Sequence, residues 1–328
     1  MSYTERGQGS AAADWLAENA QLLSIAAFFA ACLAVFSAGS DTFLTSGNLL
    51  NVLRQAAPIL TVAVAMTFVI VTAGIDLSVG SLVALVNAVC AILLAAGLPW
   101  VPVVLLMLAM GGAIGLAQGW FVAFQGIPAF IVTLAGLSIL RGVALTLTEG
   151  YSVPIPPLPG FLALGRGDVL GVPAPAVIAV AVVALGAAVL QTTRYGRRVV
   201  AVGSNAEAAR RVGMPARWTI ASVYGLSGLA SAVAGLMLAA RLGSGSSNAA
   251  VGFELQVIAA VVLGGTSLMG GRGTILGTAL GALTIAVIGN GLILLRVSPF
   301  FTQIVTGVII LAAIWLNTRI FSRLGRRR

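Results

Sequence analysis

Residues 52–97 read VLRQAAPILTVAVAMTFVIVTAGIDLSVGSLVALVNAVCAILLAAG, two apolar runs joined by the polar stretch TAGIDLSVGS at 72–81. A helix needs about 20 predominantly apolar residues to cross a bilayer. Such runs recur near 20–38, 52–73, 79–97, 101–122, 128–147, 172–191, 217–240, 253–269, 273–295 and 299–318. The sequence therefore predicts an all-α polytopic membrane protein, a bundle of about ten transmembrane helices, some of them broken or kinked.

The composition supports this fold class and limits the chemistry. Of the 328 residues 59% are hydrophobic and 8% are charged, against roughly 25% charged residues in soluble domains. The runs leave no room for a water-soluble domain, so we expect one transmembrane domain over 1–328. The chain has no His, and its free cysteines, Cys32 and Cys90, lie inside apolar runs. We therefore expect no catalytic activity, no metal and no cofactor.

The arginines predict the orientation, because loops rich in Arg stay in the cytoplasm. One group lies between the sixth and seventh runs and another ends the chain. These groups are Arg194, Arg197, Arg198, Arg210, Arg211 and Arg217, and Arg319, Arg323, Arg326, Arg327 and Arg328. Both intervals hold an even number of spans, so both termini are predicted to be cytoplasmic, with tails at 1–19 and 319–328 and a cytoplasmic loop at 192–216. The net charge of +9 then concerns topology, and we expect no nucleic-acid partner.

The loop at 192–216 contains a short helix by its own sequence signals. Ser204 and Glu207 have the spacing of a capping box, and Gly213 with Pro215 provides a stop, which predicts about two turns over 205–212. This helix is either an interfacial connector or a docking element for a soluble partner. In the docking interpretation a small face contacts the partner, while two arginines offer charge to it or to anionic lipid headgroups. These residues are Ala206, Ala208 and Ala209, and Arg210 and Arg211.

Asp76 is the one carboxylate of the stretch at 72–81. We expect it to lie at the cytoplasmic junction of two spans and to accept hydrogen bonds from backbone amides at the start of the next helix. Gly74 and Gly80 permit the tight turn that this requires. The alternative is a proton or cation site, as in secondary transporters.

Other polar residues lie within or near the runs. One group could line a polar path or form hydrogen bonds between helices, and consists of Asn87, Gln118, Asn290 and Gln303. A second group is interpreted as charges that reach the lipid headgroups, and consists of Arg141, Arg241, Arg296 and Glu254. The Pro- and Gly-rich interval 149–171 is predicted to be the longest external loop, either a contact for an extracytoplasmic partner or an irregular connector.

Three stretches together resemble the permease subunits of bacterial ABC importers of the ribose type. TAGIDLSVGSLVAL at 72–85 is similar to the signature of that family, with Ala73 in place of its usual first glycine. VVAVGSNAEAARRVGM at 199–214 is similar to its cytoplasmic coupling segment, and VIAAVVLGGTSLMGGRGTILGTALGAL at 257–283 resembles its late glycine-rich stretch. The resemblance covers the chain from about the second span to the last.

The resemblance implies a permease subunit of the bacterial cytoplasmic (inner) membrane that forms the path for a sugar or small polyol. Implied partners are cytoplasmic ATP-binding subunits, an extracytoplasmic solute-binding protein, and a second copy or similar permease, within membrane lipid. The implied coupling residues are Ser204, Asn205, Glu207, Ala208, Arg210, Arg211 and Gly213. The signature turn comprises Gly74, Ile75, Asp76, Leu77, Ser78, Gly80 and Ser81, and the late glycine-rich turn comprises Gly264, Gly265, Gly270, Gly271 and Gly273.

Three alternatives stand beside this interpretation. A branched-chain amino acid-type ABC permease shares the partner arrangement, although the GIDLSVGS form favours sugar. An ion-coupled secondary transporter would need ionisable residues within the spans, whereas most charges here are at span ends. A membrane-embedded enzyme is disfavoured, because the chain lacks His and paired carboxylates within its spans.

Overall fold

The structure, a computed structural model, describes residues 20–298 and, beyond them, residues 301, 304, 305, 307, 308 and 311. Its long helices are α1 (Ala20–Gly39), α2 (Ser46–Val71), α3 (Val79–Ala95), α4 (Trp100–Phe124), α5 (Ala129–Thr148), α7 (Ala174–Thr192), α10 (Ala216–Leu242) and α12 (Ile275–Leu294). The shorter ones are α6 (Pro159–Arg166), α8 (Arg194–Ser204), α9 (Ala206–Arg211) and α11 (Phe253–Leu263). Strand β1 (Val153–Pro154) pairs with β4 (Ser244–Gly245), and β2 (Asp168–Val169) pairs with β3 (Val172–Pro173), both antiparallel.

The all-α polytopic fold class is confirmed. Within the described part of the chain, seven helices are long and apolar enough to cross a membrane, namely α1, α2, α4, α5, α7, α10 and α12. The spans predicted at 79–97 and 253–269 correspond to shorter helices, α3 with 17 residues and α11 with 11. The tails at 1–19 and 319–328 lie outside the described residues, as does most of the span predicted at 299–318. The number of about ten spans is therefore not confirmed.

Close contacts between helix backbones build the centre of the bundle. Helix α2 is buried along most of its length and continues through Pro58. The glycines of α4 face the backbone of α10, so that a Cβ at Gly111 would lie 2.6 Å from Gly228 O and one at Gly119 would lie 2.5 Å from Ala221 O. Glycines at four-residue spacing allow this approach, and they are used here within the chain.

The bundle has two distinct ends. Helices α8 and α9 lie at one end, which we call the α9 end. The opposite end carries the interval from β1 to β3, where Arg54 of α2 forms an ion pair of 3.1 Å with Asp168. Helix α11 has only 11 residues. The non-helical residues 243–252 lie between it and that opposite end, where α10 ends.

Candidate functional site

The interval 192–216 folds into two helices, α8 and α9, which meet at Asn205. Helix α8 begins at Thr193, whose Oγ1 accepts a hydrogen bond of 3.1 Å from Gly196 N. Asn205 has the extended backbone of an N-cap, with φ −163° and ψ 99°, and its Oδ1 accepts a hydrogen bond of 2.9 Å from Ala208 N. The chain therefore turns a sharp corner at Asn205 and starts a new helix.

The predicted capping box of Ser204 and Glu207 is wrong. Ser204 is the last residue of α8, and its Oγ donates to Val200 O at 2.9 Å. Glu207 forms ion pairs with Arg210 at 2.6 Å and with Arg211 at 3.2 Å. Because α8 continues as far as Ser204, that residue is helical, and only the extended Asn205 can cap α9.

The end of α9 agrees with the prediction. Gly213 has φ +81°, a left-handed conformation that glycine adopts readily. Gly213 N donates to Arg210 O at 3.0 Å, and Met214 N donates to Ala209 O at 3.0 Å. These two bonds close a helix in the Schellman manner.

The alanines of α9 do not share one free face, which corrects the docking interpretation. Ala209 is buried against Val202 of α8 and Ala216 of α10, so it closes the corner between the helices. Ala206 and Ala208 are exposed. The outer surface of α9, as the structure shows it, consists of Ala206, Glu207, Ala208, Arg210 and Arg211.

Helix α8 was not predicted, although its sequence contains a signal. Gly196, Val199, Val202 and Gly203 are buried, whereas Arg197 and Arg198 are exposed; buried positions three or four residues apart are typical of a helix with one buried side. The Tyr195 hydroxyl lies 2.8 Å from Ser222 Oγ and holds α8 against α10. Burial raises the pKa of Tyr195, and the hydrogen bond with Ser222 lowers it in part, so this hydroxyl stays neutral near pH 7.

Asp76 lies in the turn between α2 and α3 and is 2% exposed. Its Oδ1 accepts hydrogen bonds from Ser78 N at 3.0 Å and from Ser78 Oγ at 2.6 Å. Its Oδ2 accepts a hydrogen bond of 2.7 Å from Ser227 Oγ of α10. One of these donors is a backbone amide at the start of α3, as expected. Ser227 was missed, because no local pattern links residues that are 151 positions apart.

Further contacts fix the same turn. The Ser78 hydroxyl also lies 3.0 Å from the side-chain oxygen of Gln118. A hydroxyl carries one proton, which we assign to the carboxylate of Asp76, so the amide of Gln118 would present its NH2 group to Ser78. Thr133 Oγ1 donates to Ile75 O at 3.1 Å. The turn is therefore held by α4, α5 and α10 together.

The three stretches singled out in the sequence meet at the α9 end of the bundle. Gly271 N donates to Val71 O at 2.9 Å, which joins the late glycine-rich turn to the end of α2. A Cβ at Gly203 would overlap Val71 O and would lie 2.9 Å from Gly271 N. A Cβ at Gly270 would lie 2.7 Å from Gly203 O and 2.9 Å from the Cβ of Ala73. We call this meeting point, built from Val71, Ala73, Gly203, Gly270 and Gly271, the three-way junction.

The remaining glycines of these stretches fill two roles. In the late turn Gly265, Gly270 and Gly271 have φ values of +89°, +81° and +73°. Others accept close neighbours: Gly264 faces the backbone of Gly277, Gly273 faces Val71 and Thr266, Gly74 faces the Tyr224 hydroxyl, and Gly80 faces Glu254. In the signature turn Leu77 is half-buried, whereas Asp76, Ser78 and Ser81 are buried.

The polar candidates for a path are hydrogen-bonded or enclosed between helices. Asn290 and Asn48 exchange amide hydrogen bonds of 2.9 and 3.0 Å. Asn87 is buried and its Oδ1 accepts from Ser246 N at 2.6 Å, and Gln118 is buried beside Ser78. These side chains join parts of the bundle in this structure. Gln303 lies outside the described residues.

Arg141 and Glu254, interpreted from the sequence as charges that reach the lipid headgroups, contact other parts of the protein in this structure. Arg141 lies near the middle of α5, and its Nη1 donates to Ser247 O and, at 2.8 Å, to Ala249 O. Glu254 lies in the first turn of α11, where it meets α3 at Gly80. Arg241 and Arg296 do lie at the ends of α10 and α12. Among the residues that the structure describes, no three His, Cys, Asp or Glu side chains come together as a metal site.

The sequence matches the family described as "Branched-chain amino acid transport system / permease component" over residues 48–314. It is 42% identical over 294 residues to the probable ABC transporter permease protein YphD of Escherichia coli K12, covering 90% of this chain and 88% of that protein. It is 41% identical over 310 residues to the ribose import permease protein RbsC of the same organism, with 93% and 95% covered.

A further relative extends the comparison to another sugar. The xylose transport system permease protein XylH of Escherichia coli K12 is 35% identical over 362 residues, with 92% of each chain covered. No solved structure matches the chain. The matched family region contains α3 to α12 in full and nearly all of α2.

Proposed function

The chain belongs to the family of branched-chain amino acid transport system permease components, and we propose that within it this protein is the permease subunit of an ATP-driven ABC importer for a sugar or related small polyol. Two of the relatives reported above carry ribose or xylose in their names. This favours sugar over the branched-chain amino acid alternative. The similar proteins are permeases, which also disfavours an enzyme.

The protein is a multi-pass protein of the bacterial cytoplasmic membrane, in keeping with the seven long apolar helices found among the described residues. We assign the α9 end of the bundle to the cytoplasm because it carries the arginine cluster at 194–217. The opposite end, with the interval 149–171, then faces outward. About ten spans with both termini inside remains the topology that we propose for the whole chain.

The observation that carries the mechanism is the three-way junction. Helix α9 projects its charged outer surface away from the bundle, while Gly203, at the end of α8, contacts the last turn of α2 at Val71. Contacts this close transmit displacement, because no flexible side chain lies between the two backbones. A force on α9 would therefore reach the ends of α2 and α11 together.

ATP binding and hydrolysis would then take place on separate cytoplasmic subunits. Their closure would move α8 and α9 as one body and shift α2 and α10 against the rest of the bundle, a rigid-body switch between two arrangements. Asp76 would hold the turn between α2 and α3 fixed to α10 during this motion. Its role in our proposal is structural, without direct contact with sugar.

The complete importer would contain further partners. We propose a pair of ATP-binding subunits at α9, an extracytoplasmic solute-binding protein at the outer end, and a second copy of this chain or a similar permease. The relatives and the family support the class of system. The binding protein would contact the interval that includes α6 and the ion pair of Arg54 with Asp168.

Capture of the ATP-binding subunit tests this function. The variant changes Glu207, Arg210 and Arg211 together to Ala. The control changes Arg54 and Asp168, at the opposite end of the bundle, together to Ala. Both sets are ion pairs at least partly open to solvent, which contribute little to stability, about 0–1 kcal/mol each. Both variants should therefore remain folded.

We expect the wild type and the Arg54/Asp168 control to capture the ATP-binding subunit encoded with this chain from detergent-solubilised membranes. The triple variant should lose capture while eluting normally in size-exclusion chromatography. If the wild type captured no ATP-binding subunit at all, the ABC assignment would be refuted, and an ion-coupled transporter would take its place.

A further inference from the structure

Residues 243–252 run back into the bundle between α10 and α11. We call them the descending segment. Gly245 lies against Ala88 and Ala91 of α3, whereas Ala250 O lies beside Gly80 near the start of the same helix. The distance from Ala91 to Gly80 along α3 is about 16 Å at 1.5 Å per residue. The chain thus covers about half of the hydrocarbon thickness in a non-helical conformation.

The inner side of this segment is satisfied by side chains of the bundle. Asn87 Oδ1 accepts from Ser246 N at 2.6 Å, and Thr148 Oγ1 lies 2.9 Å from Ser247 Oγ. Arg141 donates to the carbonyls of Ser247 and Ala249. Burying an arginine in the middle of a transmembrane helix is energetically unfavourable. Here the guanidinium group satisfies two backbone carbonyls that have no helical partner, because the descending segment is not helical.

The outer side of the segment is open and partly polar. Asn248 is exposed, and so is Gln256 in the first turn of α11. Val251 and Leu255 are 66% and 64% exposed. Irregular backbone at membrane depth is tolerated only where it is buried in protein or lines a water-filled cavity, since lipid offers no hydrogen bonds. This face is therefore unsuited to lipid.

Buried polar atoms around the segment give a second indication. Asn87 is 0% exposed, and its Nδ2 has no hydrogen-bond partner although its Oδ1 holds the segment. Glu254 Oε2 is also buried and unpartnered where α11 meets Gly80. An unsatisfied buried polar atom costs about 1–3 kcal/mol. Hydroxyl groups or water that reach this region would satisfy both atoms.

We propose that the descending segment and the first turn of α11 line the water-filled translocation path, and that Asn248 and Gln256 hydrogen-bond to hydroxyls of a neutral polyhydroxylated substrate. This site rests on the proposed function for the identity of its ligand. Side-chain amides both donate and accept, as hydroxyl groups do, which suits a sugar in any rotational position. Arg141 is engaged with the carbonyls of Ser247 and Ala249 and acts as a positioning residue.

Cysteine accessibility tests the face independently of transport. In a chain with Cys32 and Cys90 changed to Ala, Leu255→Cys is compared with Leu185→Cys, and Val251→Cys with Val180→Cys. The controls lie in the middle of regular helix α7 and are 66% and 65% exposed, so each pair matches in residue type and exposure. The probe is methanethiosulfonate ethylammonium, applied to vesicles of both orientations.

We expect Leu255→Cys and Val251→Cys to be labelled at least tenfold faster than their controls. Equal rates in each pair would overturn the proposal. Slow labelling of both, with a disulfide forming between copies through Leu255→Cys, would overturn it as well, because the face would then be a dry contact between permeases.

Transport measures the ligand part of the proposal. Asn248→Ala and Gln256→Ala should each raise the KM for uptake of D-ribose or D-xylose by about five- to tenfold, as expected for one lost hydrogen bond. The kcat should change less. Sugar uptake with unchanged KM in both variants would refute this ligand site alone. Absence of ATP-dependent sugar uptake by the wild type would refute the proposed function. In that second case the cysteine labelling would still show whether the face is open to water.

Discussion

Ser227→Ala should destabilise the protein far more than Ser231→Ala, one turn further along α10. Both side chains are fully buried. Ser227 donates to the carboxylate of Asp76 at 2.7 Å, whereas Ser231 donates at 2.9 Å to the carbonyl of Ser227 in its own helix. The first bond joins two parts of the fold and satisfies a buried acid. The second is a local bond to a carbonyl that the helix already uses.

The magnitudes follow from the chemistry of the two acceptors. Hydrogen bonds between helices in membranes contribute about 0.6 kcal/mol on average, but bonds to charged groups contribute about 1.5–3 kcal/mol. We therefore expect Ser227→Ala to lower the free energy of unfolding by about 1.5–3 kcal/mol. Ser231→Ala should change it by less than about 0.5 kcal/mol, as is usual where no buried group loses its partner.

The assay is unfolding of the purified protein by SDS titration in mixed micelles, followed by circular dichroism. A double-mutant cycle with Asp76→Asn isolates the pair, and its coupling energy should be about 1 kcal/mol or more. Equal effects of the two serine variants, or a coupling energy near zero, would show that Ser227 does not hold the turn. An Asp76→Asn variant that folds and transports normally would refute the structural role of the carboxylate.

Three further substitutions test the three-way junction and the corner between α8 and α9. Gly203→Ala should destabilise the protein by about 1–3 kcal/mol through steric overlap. It should also abolish the sugar-stimulated ATPase activity of the assembled importer. The control Gly289→Ala has open space around the new methyl group and should be neutral or stabilising in the same assays. Ala73→Gly should stabilise by up to about 1 kcal/mol in SDS unfolding, because Ala73 has φ +61° and glycine relieves that strain; a loss of stability would contradict this. Asn205→Ala should weaken capture of the ATP-binding subunit and lower the free energy of unfolding by about 1 kcal/mol through the lost cap. Ser204→Ala should leave capture unchanged. A larger effect of Ser204→Ala than of Asn205→Ala would show that Ser204 is the cap.

Hydrophobic patterning predicted the elements of this fold well, because a bilayer imposes one length and one polarity on every crossing helix. Nine predicted spans correspond to helices among the described residues. Patterning alone could not separate the full crossings from α3 and α11, since a short helix and a long one have the same apolar character. The difference lies in residues 243–252, whose small and polar side chains resemble an ordinary surface loop.

The candidate site was predictable in its parts and not in its assembly. The turn at Asp76, the stop at Gly213 and the glycine-rich turn each have local signals. Their meeting at the three-way junction depends on tertiary packing, which brings Gly203 and Gly271 to Val71. The contact of Ser227 with Asp76 was missed for the same reason, because the two residues are distant in sequence. The contacts of Arg141 were missed because its partners are backbone carbonyls, which have no residue type to recognise.

The shortness of α11 also determines how the chain enters the membrane during synthesis. Eleven residues are about half of the length that a bilayer requires, so α11 emerging alone from the ribosome cannot be retained as a separate crossing. We therefore expect α11 to insert together with α12, as a helical hairpin. The glycine contacts between the two helices, Gly264 with Gly277 and Ala260 with Gly281, allow that hairpin to form early. We expect this region to integrate as a pair of helices, so that truncation within α12 would leave α11 outside the bilayer.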